Sequence, residues 1–174
     1  MTSDLGESVE AALRDSGLPP THLEIEITET AAIDNIQSAR EHLLRLRRMG
    51  VSIAIDDFGT GYSSLSYLRN LPLNTIKIAR SFVRDVGMDL GDDALVTTII
   101  ALAQGRDLRV VAEGVETEEQ LRFLISRGCD YAQGYLLSRP LPPEDLDDCG
   151  PFPFEEPPDA ARAGRDDGSA LGES

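Results

Sequence analysis

Lysine is all but missing from this chain: the 174 residues carry 16 basic side chains, and only Lys77 among them is not arginine. A general preference for arginine accounts for most of that bias. It leaves room for a second reading, that position 77 needs a compact ammonium which a planar guanidinium cannot replace. Cysteine is scarce as well. Cys129 and Cys149 are too few for a disulfide framework, and without a Cys-x-x-Cys or Cys/His cluster they offer no structural zinc site. His22 and His42 stand apart and read as ordinary loop and helix residues. No apolar run approaches the roughly 20 residues that a bilayer crossing takes. The opening Met1-Thr-Ser-Asp-Leu-Gly-Glu has neither the basic flank nor the apolar stretch of a secretory signal, so a soluble, cytoplasmic protein is expected. Basic charge is short too. The net charge is −15, with −8 in residues 144–174 and −7 in the rest. That balance excludes the basic footprint of a nucleic-acid-polymer binder. An acidic site still takes phosphates when divalent metals neutralise both parties.

What is present is alternation. Leu5, Val9 and Leu13 recur at helical spacing and stop at Gly17; Ile36, Ala39, Leu43, Leu46 and Met49 do so before Gly50. Leu23-Glu-Ile-Glu-Ile and Val51-Ser-Ile-Ala-Ile-Asp alternate strictly, as half-buried strands do. Further strands are expected at Thr75-Ile-Lys-Ile, Leu108–Glu113 and Asp130–Gln133, with a short last one at Leu136-Leu137. Helices are expected over residues 63–69, over 92–104 and after the capping box Thr117-x-x-Gln120. Strand and helix in turn mean repeated βα units on a parallel sheet. Past Pro142 the chain becomes aperiodic and rich in Pro, Gly, Ala, Asp and Glu, a composition that does not offset the entropy of ordering.

Side-chain parity then sorts the strands. Ile25, Ile27, Ile53, Ile55, Ile76, Ile78, Val110 and Ala112 share one face and suit packing against helices. Glu26, Asp56, Lys77, Glu113 and Gln133 share the other. All five lie near the carboxyl ends of successive strands, where (β/α) barrels place their reactive groups. One carboxylate there is an ordinary solvated strand end. Several together are costly unless metals or counter-charges offset them. Glu26, Asp56, Asp57 and Glu113 suit one or two hard divalent ions, which can clamp the oxygens of a phosphoryl displacement.

Five segments make the resemblance specific. Glu26-Ile-Thr-Glu29, Asp56-Asp57-Phe58-Gly59-Thr60-Gly61-Tyr62-Ser63-Ser64-Leu65, Ile76-Lys77-Ile78, Val111-Ala-Glu113-Gly-Val-Glu116 and Gln133-Gly-Tyr135, in this order and spacing, resemble the EAL-domain family from about residue 3 to residue 143. The resemblance implies a cyclic di-GMP phosphodiesterase using Mg²⁺ or Mn²⁺ to give linear pGpG. It implies that Glu26, Asp56 and Asp57 bind metal, Asp56 bridging two ions, and that Glu113 holds the second. Lys77 would hold the attacking water or a phosphate oxygen, and Gln133 would join the metal–water network. Glu29 would anchor the glycine loop Phe58, Gly59, Thr60, Gly61 and Ser63, which closes over the site and takes part in dimerisation.

Three departures from the pattern stand out. The glutamate of the E-A-L motif and the asparagine of the following strand, ligands of one ion, are not found in these residues, and the aspartate of the K-I-D motif is Ala79. The expected fold is therefore α/β, a partial TIM-type (β/α) barrel lacking its first strands, over residues 1–143, with a disordered acidic tail over 144–174. Such a sheet would have open edges that invite self-association. The expected activity is phosphodiester hydrolysis impaired by the two missing ligands. The alternative is a degenerate module that binds nucleotide or a protein partner without catalysis. Because the tail lacks periodic apolar residues, deleting everything past Pro143 should leave the melting temperature nearly unchanged. A large drop in a thermal melt would mean that Phe152 and Phe154 dock on the domain.

Overall fold

The computed structural model of the chain describes residues 5–34, 36–60, 68 and 70–148. Apart from Leu68, the helix expected over 63–69 lies outside them, as does the tail beyond residue 148. The chain divides into two units, Met1–Leu141 and Pro142–Ser174. In the second, Pro143–Asp148 forms a 3₁₀ helix where the sequence suggests no element.

The first unit alternates helices and strands as its periodicities require. Its elements are α1 (Leu5–Ser16), β1 (Glu24–Thr28), α2 (Glu29–Asp34), α3 (Ile36–Arg48), β2 (Ser52–Phe58), β3 (Thr75–Ile78), α4 (Arg80–Arg84), α5 (Leu90–Gln104), β4 (Arg109–Glu113), α6 (Glu118–Ser126) and β5 (Tyr131–Gln133). All five strands are parallel and lie in chain order, β1-β2-β3-β4-β5. Leu136-Leu137 is not a strand. Leu137 N donates to Gly134 O at 3.0 Å and closes a turn there.

Two short helices escape the periodicity reading because each is under two turns long. Thr28 opens α2, its hydroxyl accepting from Ala31 N at 3.3 Å. At the start of α4, Ala79 provides no side-chain cap. The longer helices begin where capping chemistry places them. Asp89 accepts from Gly91 N at 2.7 Å and Asp92 N at 3.2 Å before α5, and the Thr117/Gln120 capping box opens α6.

The core lies between the sheet and these helices. Ile53, Ile55, Ile76, Ile78, Val110 and Ala112 are fully buried on the sheet's outer face. Also buried are Leu43 and Leu46 of α3, Val83 of α4, Val96, Ile99, Ile100 and Ala103 of α5, and Leu121 and Leu124 of α6. At about 1.5–3 kcal/mol for each large aliphatic side chain removed from water, this layer is the main source of stability.

Past the strand ends, β4 and β5 stay fastened. Val115 N donates to Gln133 O, and Leu136 N donates to Val115 O, each at 3.0 Å. A side chain on Gly134 would run into the backbone oxygen and nitrogen of Val115. Backbone cannot swing aside as a flexible side chain does, so Gly134→Ala should destabilise the domain by about 1–3 kcal/mol. An unchanged urea midpoint would mean that the 114–116 segment moves freely.

Candidate functional site at the strand ends

The sheet's other face is polar, and its register brings that polarity to a point. Glu26 pairs with Ala54, Thr28 with Asp56, Lys77 with Val111, and Glu113 with Gln133. Lys77 extends from the central strand. Its Nζ lies 2.6 Å from Glu113 Oε1, 2.8 Å from Glu26 Oε1 and 3.5 Å from Asp56 Oδ1. Glu26 belongs to β1, two strands away, and pairs in register with the small, buried Ala54 of β2. The lysine is buried while its partners keep some contact with solvent. Burial alone lowers its pKa. Hydrogen bonds to Glu113 and Glu26, with the charges of Glu113 and Asp56, outweigh that and raise it. The ammonium therefore stays protonated at neutral pH.

Strict alternation would turn Asp57 away from Asp56. Instead β2 slips register between Ile55 and Phe58, and Asp57 takes a left-handed backbone at φ 52°. Aspartate tolerates that region better than most residues. Asp56 Oδ1 accepts from Asp57 N at 3.0 Å, while Thr60 N and Thr60 Oγ1 donate to Asp57 O at 3.3 and 2.9 Å. The bulge has two results. Asp56, Asp57 and Glu113 each present a carboxylate oxygen, all within 4.8 Å of one another, a spacing that a hard divalent cation can bridge. Phe58 returns to the core face, pairs with Ile78 and is buried. Its side chain is thus a packing group of the core.

Glu29, the first residue of α2, is fully buried. Its Oε2 accepts from Gly59 N at 2.9 Å, which fixes the start of the glycine loop. Gly59 has φ 99°, and a Cβ there would lie 2.8 Å from Phe82 Cε2, so conformation and space both demand glycine. Gly61 and Ser63 lie outside the described residues. Gln133 is exposed and lines an open cleft beside Glu113.

Comparison with known proteins places these features. The EAL domain family matches residues 1–140. The chain belongs to the EAL domain family. Cyclic di-GMP phosphodiesterase NbdA of Pseudomonas aeruginosa is 51% identical over 140 residues, 80% of this chain and 18% of that protein. The bifunctional diguanylate cyclase/cyclic di-GMP phosphodiesterase MucR of the same species is 48% identical over 142 residues, 82% of this chain and 21% of that protein. The chain thus spans about a fifth of the length of these relatives. Among solved structures, PaMucR phosphodiesterase in complex with c-di-GMP superposes with a TM-score of 0.80 at 47% identity, covering 83% of this chain and 59% of that one. Klebsiella pneumoniae BlrP1 with manganese and cy-diGMP at pH 9.0 gives 0.75 at 38% identity, covering 79% and 35%. Its EAL neighbours are TIM-type barrels, and this chain's parallel α/β sheet is of that kind. Among the described residues, no helix is long and apolar enough to cross a membrane.

Parity reasoning found the ring of charge in this EAL domain but missed the layer beneath it. Arg109 Nη2 donates to Glu24 Oε2 at 2.9 Å and to Thr75 Oγ1 at 3.1 Å, and Thr75 Oγ1 donates to Glu24 Oε2 at 2.8 Å. This network joins β1, β3 and β4 across β2. Its signal was present, since all three residues share the inward parity. Also missed was the Arg80–Glu116 ion pair, 2.5 Å long, at the rim of the cleft. Nothing in the spacing of those two residues announces it.

Lys77 offsets three carboxylates, so Lys77→Met should destabilise the domain. The partners' exposure limits the loss to about 1–2 kcal/mol, below the usual cost of breaking a fully buried pair. Added Mn²⁺ should raise the melting temperature of the variant more than that of the parent, because the cation takes over the neutralisation. Equal Mn²⁺ shifts in the two proteins would rule that account out.

Proposed function

We propose that this chain supplies most of the active site of a cytoplasmic cyclic di-GMP phosphodiesterase, which opens one phosphodiester of the ring to give linear pGpG. The observation that carries this reading is the Lys77 ammonium held by Glu26, Asp56 and Glu113 at the carboxyl ends of parallel strands in an EAL domain. Asp56, Asp57 and Glu113, with Glu26 on the far side of Lys77, fit as the ligands of Mg²⁺ or Mn²⁺. When bound, such ions activate water and neutralise phosphate charge. A structure of BlrP1 holding manganese with the dinucleotide supports the choice of metal class.

Each residue then has a task. Lys77 offers three N–H donors from one charged point, suited to a phosphate oxygen or a water in the middle of a carboxylate ring. Gln133, beside Glu113, offers an amide to the same water network. Glu29 holds Gly59 and so fixes the start of the glycine loop. Ala79 stands where the family has aspartate and leaves α4, directly after Lys77, without a side-chain cap. That loosens the support of Lys77 without touching the site itself. The edges β1 and β5 each have one strand neighbour among the described residues, which favours self-association or a homodimer.

The 174 residues contain neither the E-A-L glutamate nor the asparagine ligand. By themselves they should convert cyclic di-GMP poorly or not at all, since Mg²⁺ tolerates incomplete coordination badly. A displacement of about 1 Å can cost roughly 100-fold in rate. An extended form carrying both ligands should be active with Mn²⁺, and Lys77→Arg in that form should abolish turnover. Formation of pGpG by the three proteins is the measurement. Robust turnover by the 174-residue chain would show that the two ligands are dispensable.

A further inference from the structure

Three side chains lie one layer below the carboxylate ring and take no part in the reaction. Glu24, Thr75 and Arg109 stand on β1, β3 and β4, two residues before Glu26, two before Lys77 and four before Glu113. Residues at even separation along a strand share a face, so each points to the same side of the sheet as the ring residue above it. The three close a triangle. Thr75 Oγ1 donates to Glu24 Oε2 at 2.8 Å, and Arg109 Nη2 donates to Glu24 Oε2 at 2.9 Å and to Thr75 Oγ1 at 3.1 Å. Thr75 is fully buried, so its hydroxyl depends on these protein partners. Side chains tie this lower end of the sheet elsewhere too: Asn74 Oδ1 accepts from Ile53 N at 3.0 Å, and Asp130 Oδ2 from Val110 N at 2.8 Å. Higher up the regularity is lost. β2 and β3 pair through Ala54–Thr75 and Ile55–Ile76, then shift register before Phe58 and Ile78. Lys77 falls within that shift, and β1 has only β2 as a strand neighbour among the described residues. Backbone pairing therefore does not by itself fix Lys77 against Glu26.

We propose that Glu24, Thr75 and Arg109 are positioning residues, which set Glu26 of β1 against Lys77 of β3 and so hold the carboxylate ring to the size of a divalent cation. The inference rests on the metal-dependent reading of that ring. Two side-chain links join β1 to β3: Lys77 to Glu26 above, and Thr75 to Glu24 below. The upper link shares its carboxylate with any cation in the ring, so it weakens when the ring is loaded. The lower link uses no ring oxygen and persists. Arg109 extends it to β4, the strand of Glu113. Groups that orient metal ligands without touching the metal typically change affinity by about 10–100-fold when removed. Charge alone gives a different forecast. Glu24 and Arg109 carry opposite charges, so neutralising each in turn would move cation affinity in opposite directions. Loss of position moves it one way only. Thr75 is uncharged, and its effect is purely positional.

Isothermal titration of the 174-residue chain with Mn²⁺, beside urea unfolding of each variant, tests this. All affinities are measured without urea, on folded protein. Thr75→Val should weaken Mn²⁺ by about 10-fold, and Thr75→Ser, which keeps the hydroxyl, should stay within about 3-fold of the parent. Glu24→Gln and Arg109→Met should both weaken it. Lys77 adds a readout that needs no metal. It is the only lysine, so ¹³C placed at lysine Cε gives one resonance, from the centre of the ring. That resonance should be single in the parent and in Thr75→Ser, and broadened or doubled in Thr75→Val. On addition of Mn²⁺ the parent's resonance should vanish, because paramagnetic relaxation acts only at short range. An unchanged Mn²⁺ affinity and a single lysine resonance in Thr75→Val, whatever its urea midpoint, would reduce the triangle to a structural tie. The proposal would then fall and the metal site would stand. Tighter Mn²⁺ binding by Arg109→Met with weaker binding by Glu24→Gln would assign the effect to charge and overturn it as well. A parent resonance that survives millimolar Mn²⁺ would overturn the metal-dependent reading itself, and the positioning role with it.

Discussion

One ammonium holds three carboxylates together at the heart of this sheet. Glu26, Asp56 and Glu113 come from β1, β2 and β4, and each would repel the others if it stood alone among them. Lys77 meets all three from β3, the central strand, within 3.5 Å. A lysine suits this place for a geometric reason. Its charge is concentrated on one small head that donates in three directions, whereas a guanidinium is a flat fork matched to one carboxylate at a time. In a chain that otherwise uses arginine throughout, the exception sits where arginine would fit worst.

Two local irregularities make that arrangement possible. The first is economy of side-chain size on β2, where the residue in register with Glu26 is the small, buried Ala54. The second is the bulge at Asp57. It departs from regular strand geometry, at a cost on the order of 1–3 kcal/mol for a residue with positive φ, and hydrogen bonds to Asp57 from Thr60 offset part of that cost. In return two consecutive acids face the same point and Phe58 swings back into the core. Directly after the bulge Glu29 takes hold of Gly59. The turn that aims the aspartates and the anchor that starts the glycine loop are therefore one continuous piece of backbone.

Beneath the carboxylate ring, the network of Glu24, Thr75 and Arg109 repeats the same logic one layer down: an acid from β1 and a base from β4 meet over β2 and β3. Above it, the segments following β4 and β5 stay bonded to each other, and Gln120 ties them to the end of α4. The inner face is consequently polar at every level, while the outer face carries the apolar core. Stability and chemistry occupy opposite sides of one sheet, so residues can be specialised for either without compromise.

Much of this was legible in the chain. Strict alternation in Leu23–Ile27 and Val51–Asp56 placed strands and told their faces apart, because a period of two leaves no other assignment for Glu26, Asp56, Lys77, Glu113 and Gln133. Capping chemistry at Thr117 and the change of texture after Pro142 were equally local. The features that escaped are those in which residues distant in sequence choose one another. Asp57 was already grouped with Asp56 and Glu113 as a metal-binding acid, but how it reaches them was not legible: parity turns it away, and the slip of the strand brings it back. Phe58 is buried because that same slip restores it to the core side. Arg80 finds Glu116 and Arg109 finds Glu24 across strands, and no spacing rule reaches over 36 or 85 residues. Local pattern specifies which way a side chain points, whereas distance between side chains is set by register, twist and packing, which exist only once the sheet has formed.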